Sequence, residues 1–128
     1  KEKEINVIAF SQGGIIALAY LKYFKNKNVE KLFTLCTPHK GSRMAYLLNL
    51  PGIIDLRPAS VLLKELESFA RDETETKIYS VYTPFDLMVF PGWSARPNYG
   101  KKKIVFAPVH PVTFFWPATL KFIYENIK

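Results

Sequence analysis

Cysteine and histidine are scarce in this sequence: Cys36 stands alone, and His39 and His110 are the only histidines among 128 residues. One thiol excludes an intrachain disulfide framework and a multi-cysteine metal site. Two histidines among scattered carboxylates show no ligand spacing that implies a metal, and no pattern implies a cofactor. A single cysteine is compatible with a reducing compartment, and on that ground a cytoplasmic location is expected. Cys36 itself lies in the apolar run Leu32–Cys36, where a buried small hydrophobe is the usual outcome.

Long apolar runs are missing too. The stretch Ile5–Leu21 is short and interrupted by Asn6, Ser11 and Gln12, which argues against a membrane span. Charge-balanced Lys1–Glu4 in front of it does not suit a signal peptide. There is no zinc pattern, RNP-like motif or helix-turn-helix pattern, so nucleic acid is not an expected partner. Neither an internal repeat nor a clear linker is found. The sequence begins without methionine, which suggests a segment upstream.

What is present is a well-stocked core: 48% hydrophobic residues and 15% aromatic, with ten Phe and seven Tyr. One compact domain over residues 1–128 is expected. The formal charge of +7 comes mostly from scattered lysines (Lys22, Lys25, Lys27, Lys31, Lys40, Lys64) and the run Lys101–Lys103. Such charge reads first as a solvated surface. Its functional reading is attraction to acidic substrates or to an anionic lipid surface, hence peripheral membrane contact.

Along the chain, Ile5–Phe10 suits a fully buried strand, and Ile15–Phe24 an almost uniformly apolar buried helix ending near Asn26–Asn28. Val29–Cys36 reads as a second strand, closed by Thr37-Pro38. Ser42 is placed to cap a helix running through Leu50, which Pro51-Gly52 breaks. A further helix is expected from about Ser60 to Arg71, with Val61, Leu62, Glu65 and Phe69 at helical spacing. Lys77–Tyr82 suits a third strand, and Thr83–Asn98 a loop holding three prolines and Asp86. Lys103–Pro108 suits a fourth strand before His110, and Pro117–Ile127 a last helix with an inner stripe of Leu120, Ile123 and Ile127. Strands alternating with helices imply an α/β fold: a parallel sheet of about four strands flanked by helices.

Ser11 stands at the first strand-to-helix junction. A serine hydroxyl is a poor nucleophile unless it is exposed, oriented and served by a base. A sharp turn from strand to helix lifts it above the sheet, but needs small residues two positions before and after, here Ala9 and Gly13. The helix that follows directs its positive end at the same place. A serine that merely caps a helix would produce the same junction.

The segments Ile5-Asn6-Val7-Ile8-Ala9-Phe10-Ser11-Gln12-Gly13-Gly14 and Leu35-Cys36-Thr37-Pro38-His39-Lys40-Gly41-Ser42 resemble the lipase and esterase branch of the α/β-hydrolases. Ala9 departs from that family's G-x-S-x-G pattern. The resemblance covers the whole chain but only the second half of the family's fold. It implies that Ser11 is the nucleophile and that Gln12 supplies a backbone N–H to an oxyanion hole. Asp86 then matches the acid, with Asp55 and Asp72 as rivals that do not follow a strand. His110 matches the base, and His39 a loop-ordering residue.

The implied function is a serine hydrolase cleaving carboxylic esters of small-molecule or lipid type through an acyl-enzyme. The apolar stretch Met44–Phe69 lies where related lipases carry cap elements, so a helical cap-like insertion is expected at about 43–72; core packing would account for the same residues. The family's second oxyanion donor comes from a loop after an earlier strand, so the N-terminal part of the usual domain is expected to be absent here. An unpaired first strand would then self-associate or pair with a missing N-terminal segment. The alternative function is a catalytically silent hydrolase-like fragment or binding module.

Overall fold

The computed structural model describes residues 4–128. Four strands, β1 (Ile5–Phe10), β2 (Val29–Leu35), β3 (Lys77–Tyr82) and β4 (Lys101–Ile104), form one sheet in the order β1-β2-β3-β4. All three pairings are parallel, so every strand points the same way and all their C-terminal ends meet along one edge of the sheet. Four helices accompany them: α1 (Gln12–Tyr23), α2 (Pro51–Ile54), α3 (Val61–Asp72) and α4 (Pro117–Asn126). No described helix is long and apolar enough to cross a membrane.

The central strand β2 shows how the layers are made. Leu32 joins Ile15, Leu18, Leu21, Leu63, Leu66 and Ile78 in a core shared with α1 and α3. Phe33 and Leu35 point the other way, into a second core with Val81, Val105, Phe122 and Ile123 of α4. Alternate residues of a strand face opposite sides, so one seven-residue segment serves both cores. Leu32, Phe33 and Leu35 are fully buried, each side chain contributing about 1.5–3 kcal/mol relative to exposure.

The edges of the sheet are unlike. β4 carries Lys101, Lys102 and Lys103, and long cations on an edge discourage further pairing. Among the described residues β1 has only β2 as a partner, and there Ile5 and Ile8 are about half exposed. With Ile16 and Tyr20 of α1 they line an apolar groove. The expectation of a fully buried first strand and an all-round buried helix therefore fails: Ile16, Tyr20 and Tyr23 are exposed, because no described element packs on that side.

Other boundaries also shift. Helix α1 begins at Gln12, directly after Ser11, rather than at Ile15. β2 ends at Leu35, because Cys36 turns to a φ of 50°. Ser42 does cap a helical turn, its Oγ accepting from the Met44 N–H, but the turn is a 3-10 segment over Arg43–Leu47. It stops there because the Arg57 guanidinium takes the Ala45 and Leu48 carbonyls at 3.2 Å each. Pro51 opens a short helix rather than breaking one, as proline can in a first turn where no N–H is needed. Ser60 caps α3, whose buried face is Leu63, Leu66 and Ala70, while Val61 is exposed. β4 begins at Lys101 and ends at Ile104, earlier than the apolar pattern suggests. In α4 the inner face is Thr119, Phe122 and Ile123, and Leu120 points outward.

Candidate active site

Ser11 follows the last residue of β1 and adopts φ 54°, ψ −126° before α1 begins. That conformation is costly for a residue with a side chain, about 1–3 kcal/mol, and persists only where its surroundings enforce it. They do so here through the Ser11 N–H, which donates to the Leu35 carbonyl at 2.7 Å and continues the β1–β2 ladder into the turn. The close approach of α1 to the sheet depends less on Gly13 than on Gly14. A Cβ on Gly13 would meet Ala9 at an ordinary 4.0 Å, whereas one on Gly14 would overlap the buried Thr37 side chain.

Asp86 lies in the loop after β3 and is almost wholly buried. Its Oδ1 accepts the Met88 and Val89 N–H groups, both at 2.9 Å. Its Oδ2 lies 2.6 Å from Nδ1 of His110, which follows β4 and opens the 3-10 turn Pro111–Phe115. Nε2 of the same ring is 3.0 Å from Ser11 Oγ. A carboxylate can only accept, so the ring proton belongs on Nδ1 and Nε2 is left to accept the Ser11 hydroxyl. The Phe10 ring sits 4.9 Å from the imidazole, and Phe114 stands edge-on to Phe10. Ser11, His110 and Asp86 thus form one hydrogen-bonded chain drawn from the ends of three strands.

The other sequence candidates lie apart from that chain. Asp55 closes α2 and Asp72 ends α3, the latter paired with Arg71 at the surface. His39 is buried in a separate network on the α1/α3 side of the sheet. Its Nε2 is 2.9 Å from Thr34 Oγ1, whose own proton goes to Ser80 Oγ at 2.8 Å. Nε2 therefore donates, and Nδ1 accepts the Tyr99 hydroxyl at 2.9 Å. Burial, with Lys40 nearby, lowers His39 to about 3, so this ring stays neutral. Tyr99, likewise buried, is raised. Thr34, Ser80 and Tyr99 carry no sequence signal of this partnership.

Gln12 opens α1, so its backbone N–H has no acceptor within the helix and projects from the positive end beside Ser11. Cys36 is fully buried, as its place in an apolar run predicts. Its sulfur, however, lies within 4.8 Å of an Asp86 oxygen and a His110 nitrogen. Those oxygen and nitrogen atoms are already engaged with each other and with the Asp86 loop.

A family model, palmitoyl protein thioesterase, matches residues 1–89. The chain belongs to the palmitoyl protein thioesterase family. The mature lipase BlEst2 of Bacillus licheniformis superposes with a TM-score of 0.79 at 17% identity, over 98% of this chain and 66% of that one. The lin2722 product of Listeria innocua gives 0.71 at 10% identity, over 98% and 58%. A monoacylglycerol lipase of Paleococcus ferrophilus gives 0.60 at 10%, over 98% and 66%. At such identities these likenesses show the fold, an α/β-hydrolase, of which this family member spans about two thirds or less of each solved chain. No curated protein sequence matches it significantly.

Proposed function

We propose that the chain carries the reactive centre of a serine hydrolase acting on carboxylic esters or thioesters with apolar acyl groups. The observation that carries this reading is the continuous path from Ser11 Oγ through the His110 ring to Asp86. On this reading Nε2 takes the hydroxyl proton as Oγ bonds to the acyl carbon. The carbonyl oxygen gathers charge at the start of α1, where the Gln12 N–H is one donor. Collapse breaks the bond to the alcohol or thiol, which leaves with the proton from His110. Water, deprotonated by the same ring, then releases the acid and frees Ser11.

Apolar acyl groups are favoured by the surroundings. Phe10, Phe114 and Phe115 form an aromatic cluster beside His110, with Phe115 largely exposed. Of the segment read as cap-like, about 43–72, α3 is taken up in the core, whereas Met44, Tyr46, Leu47, Leu48 and Leu50 are exposed. The latter stretch is the part available to cover an acyl chain or touch a lipid surface.

Labelling with a fluorophosphonate tests the reading. Ser11 is expected to take the probe and Ser11→Ala to take none; a folded protein whose labelling is the same with and without Ser11 ends it. A catalytically silent binding module is the second reading, supported by the exposed apolar side chains of Met44, Tyr46, Leu47, Leu48 and Leu50. Unlabelled protein that still retains a fluorescent fatty acyl ester would support that reading instead.

A further inference from the structure

Ser42 does more than cap a turn. It is buried, and its Oγ reaches backbone groups 46 and 48 residues further along the chain. It donates to the Met88 carbonyl at 2.8 Å and accepts the Phe90 N–H at 3.0 Å and the Met44 N–H at 3.3 Å. A hydroxyl has one proton and two lone pairs, so its capacity is fully used. Beside it the Arg43 N–H donates to the Phe90 carbonyl at 2.8 Å.

Ser42 is itself held from behind. Its N–H donates to the Leu56 carbonyl at 2.8 Å, and the Lys40 N–H to the Ser94 carbonyl at 2.9 Å. Gly41, at φ 85°, lets the chain pass so close to Arg57 and Pro58 that a Cβ would overlap their backbone.

Met88 and Phe90 belong to the loop that presents Asp86. Asp86 Oδ1 accepts the Met88 and Val89 N–H groups, so Met88 is gripped from both sides, its N–H by the carboxylate and its carbonyl by Ser42. Packing gives this loop little further support. Of residues 87–90 only Val89 is buried, while Leu87 and Met88 are about two-thirds exposed. Hydrogen bonds therefore set the backbone here, and a loop so lightly packed relaxes when a buried hydroxyl that satisfies two of its groups is removed.

We propose that Ser42 is a positioning residue for Asp86: by fixing Met88 and Phe90 it sets the plane of the carboxylate whose Oδ2 meets Nδ1 of His110. The proposal rests on reading Ser11, His110 and Asp86 as a catalytic triad. Ser42 touches no reacting atom and acts through the acid alone.

Two measurements test this, and one of them needs no turnover. The His110 Nδ1 proton, in a short bond to a carboxylate, resonates far downfield in proton NMR. At fixed pH, Ser42→Ala should move it upfield as that bond lengthens, and Ser42→Thr, which keeps the hydroxyl, should leave it in place. The second measurement is fluorophosphonate labelling of Ser11 at rising probe concentration. Ser42→Ala should lower the maximal rate by about 10²-fold, the scale of an ångström's misplacement, with the half-saturating concentration unchanged. In Asp86→Asn the same substitution should have little further effect, because the group it acts through is already lost. An equal loss in the parent and in Asp86→Asn overturns the proposal, as does a folded Ser42→Ala with the native resonance. Should Ser42→Ala fail to fold, Ser42→Cys, similar in shape but a weak donor, is read in the same way. If the resonance moves but Ser11 takes no label in the parent, the positioning stands and the hydrolase reading fails.

Discussion

Nδ1 of His110 lies 2.6 Å from Oδ2 of Asp86, with both side chains almost fully buried. A charge-assisted bond in so dry a place holds the ring and selects its tautomer. Asp86→Asn is expected to turn the Nδ1 site from acceptor-facing to ambiguous and to lower Ser11 labelling by about 10³–10⁴-fold. Asp86→Ala should also cost stability, about 1–3 kcal/mol for each buried donor left unpaired, since it strips the acceptor from the Met88 and Val89 N–H groups as well as from the ring. Labelling rates and urea melts of the two variants separate these effects.

His39 predicts an acid-sensitive fold. Its folded-state value is lowered to about 3, chiefly by burial, against about 6.5 in an unfolded chain. Above pH 6.5 both states are neutral at this group and it contributes no pH dependence. Between pH 6.5 and 3 the unfolded state binds a proton that the folded state refuses, so stability falls as pH falls. The slope from this group is at most about 1.4 kcal/mol per pH unit. Urea midpoints measured from pH 7 to pH 4 should fall less steeply in His39→Gln than in the parent.

Gly14 and Gly13 should respond oppositely to alanine. Gly14→Ala drives a methyl into the buried Thr37 side chain, with an expected loss of about 1–3 kcal/mol. Gly13→Ala meets only Ala9 at van der Waals distance and should be neutral or gain up to about 1 kcal/mol of helix propensity. Thermal melts decide it: equal losses at the two positions would show that the constraint lies at the Ser11 turn itself.

The Cys36 thiol should be silent toward Ellman's reagent in the native protein at pH 8. It is fully buried, and burial pushes it up to about 12, so neither access nor thiolate is available. One equivalent should react when the chain is unfolded in guanidinium chloride. Rapid reaction of the native protein would mean that the ends of β2 and β3 open readily.

Much of this was readable in the residues, for identifiable reasons. β3 matches its expected span because Lys77–Tyr82 alternates well enough to mark a strand. That Ser11, Asp86 and His110 would meet was legible because each follows a strand in a parallel sheet, whose topology brings such positions together. Helix faces were harder. In α3 two overlapping stripes compete, and the structure buries the Leu63–Leu66–Ala70 one. In α4 the inner position 119 is a threonine, which hid the register behind Leu120. β4 was displaced because lysines look unlike a strand interior, yet suit an edge. The hydrogen bonds of His39 with Thr34 and Tyr99 join residues 5 and 60 positions away, and no spacing rule reaches the second. The nearness of Cys36 to Asp86 follows from a left-handed φ that a cysteine gives no warning of.

The unlike edges of the sheet give it a direction of growth. Among the described residues the β4 edge carries three adjacent ammonium groups that would turn a fifth strand away, whereas at the β1 edge Ile5 and Ile8 offer apolar surface that would suit one. A parallel newcomer there would end beside Ser11, on the flank away from Asp86 and His110. The loop it carried would face the serine from that flank. Whatever joins that edge therefore stands beside Ser11, and the hydrogen bonds from Ser11 through His110 to Asp86 on the opposite side are left as they stand.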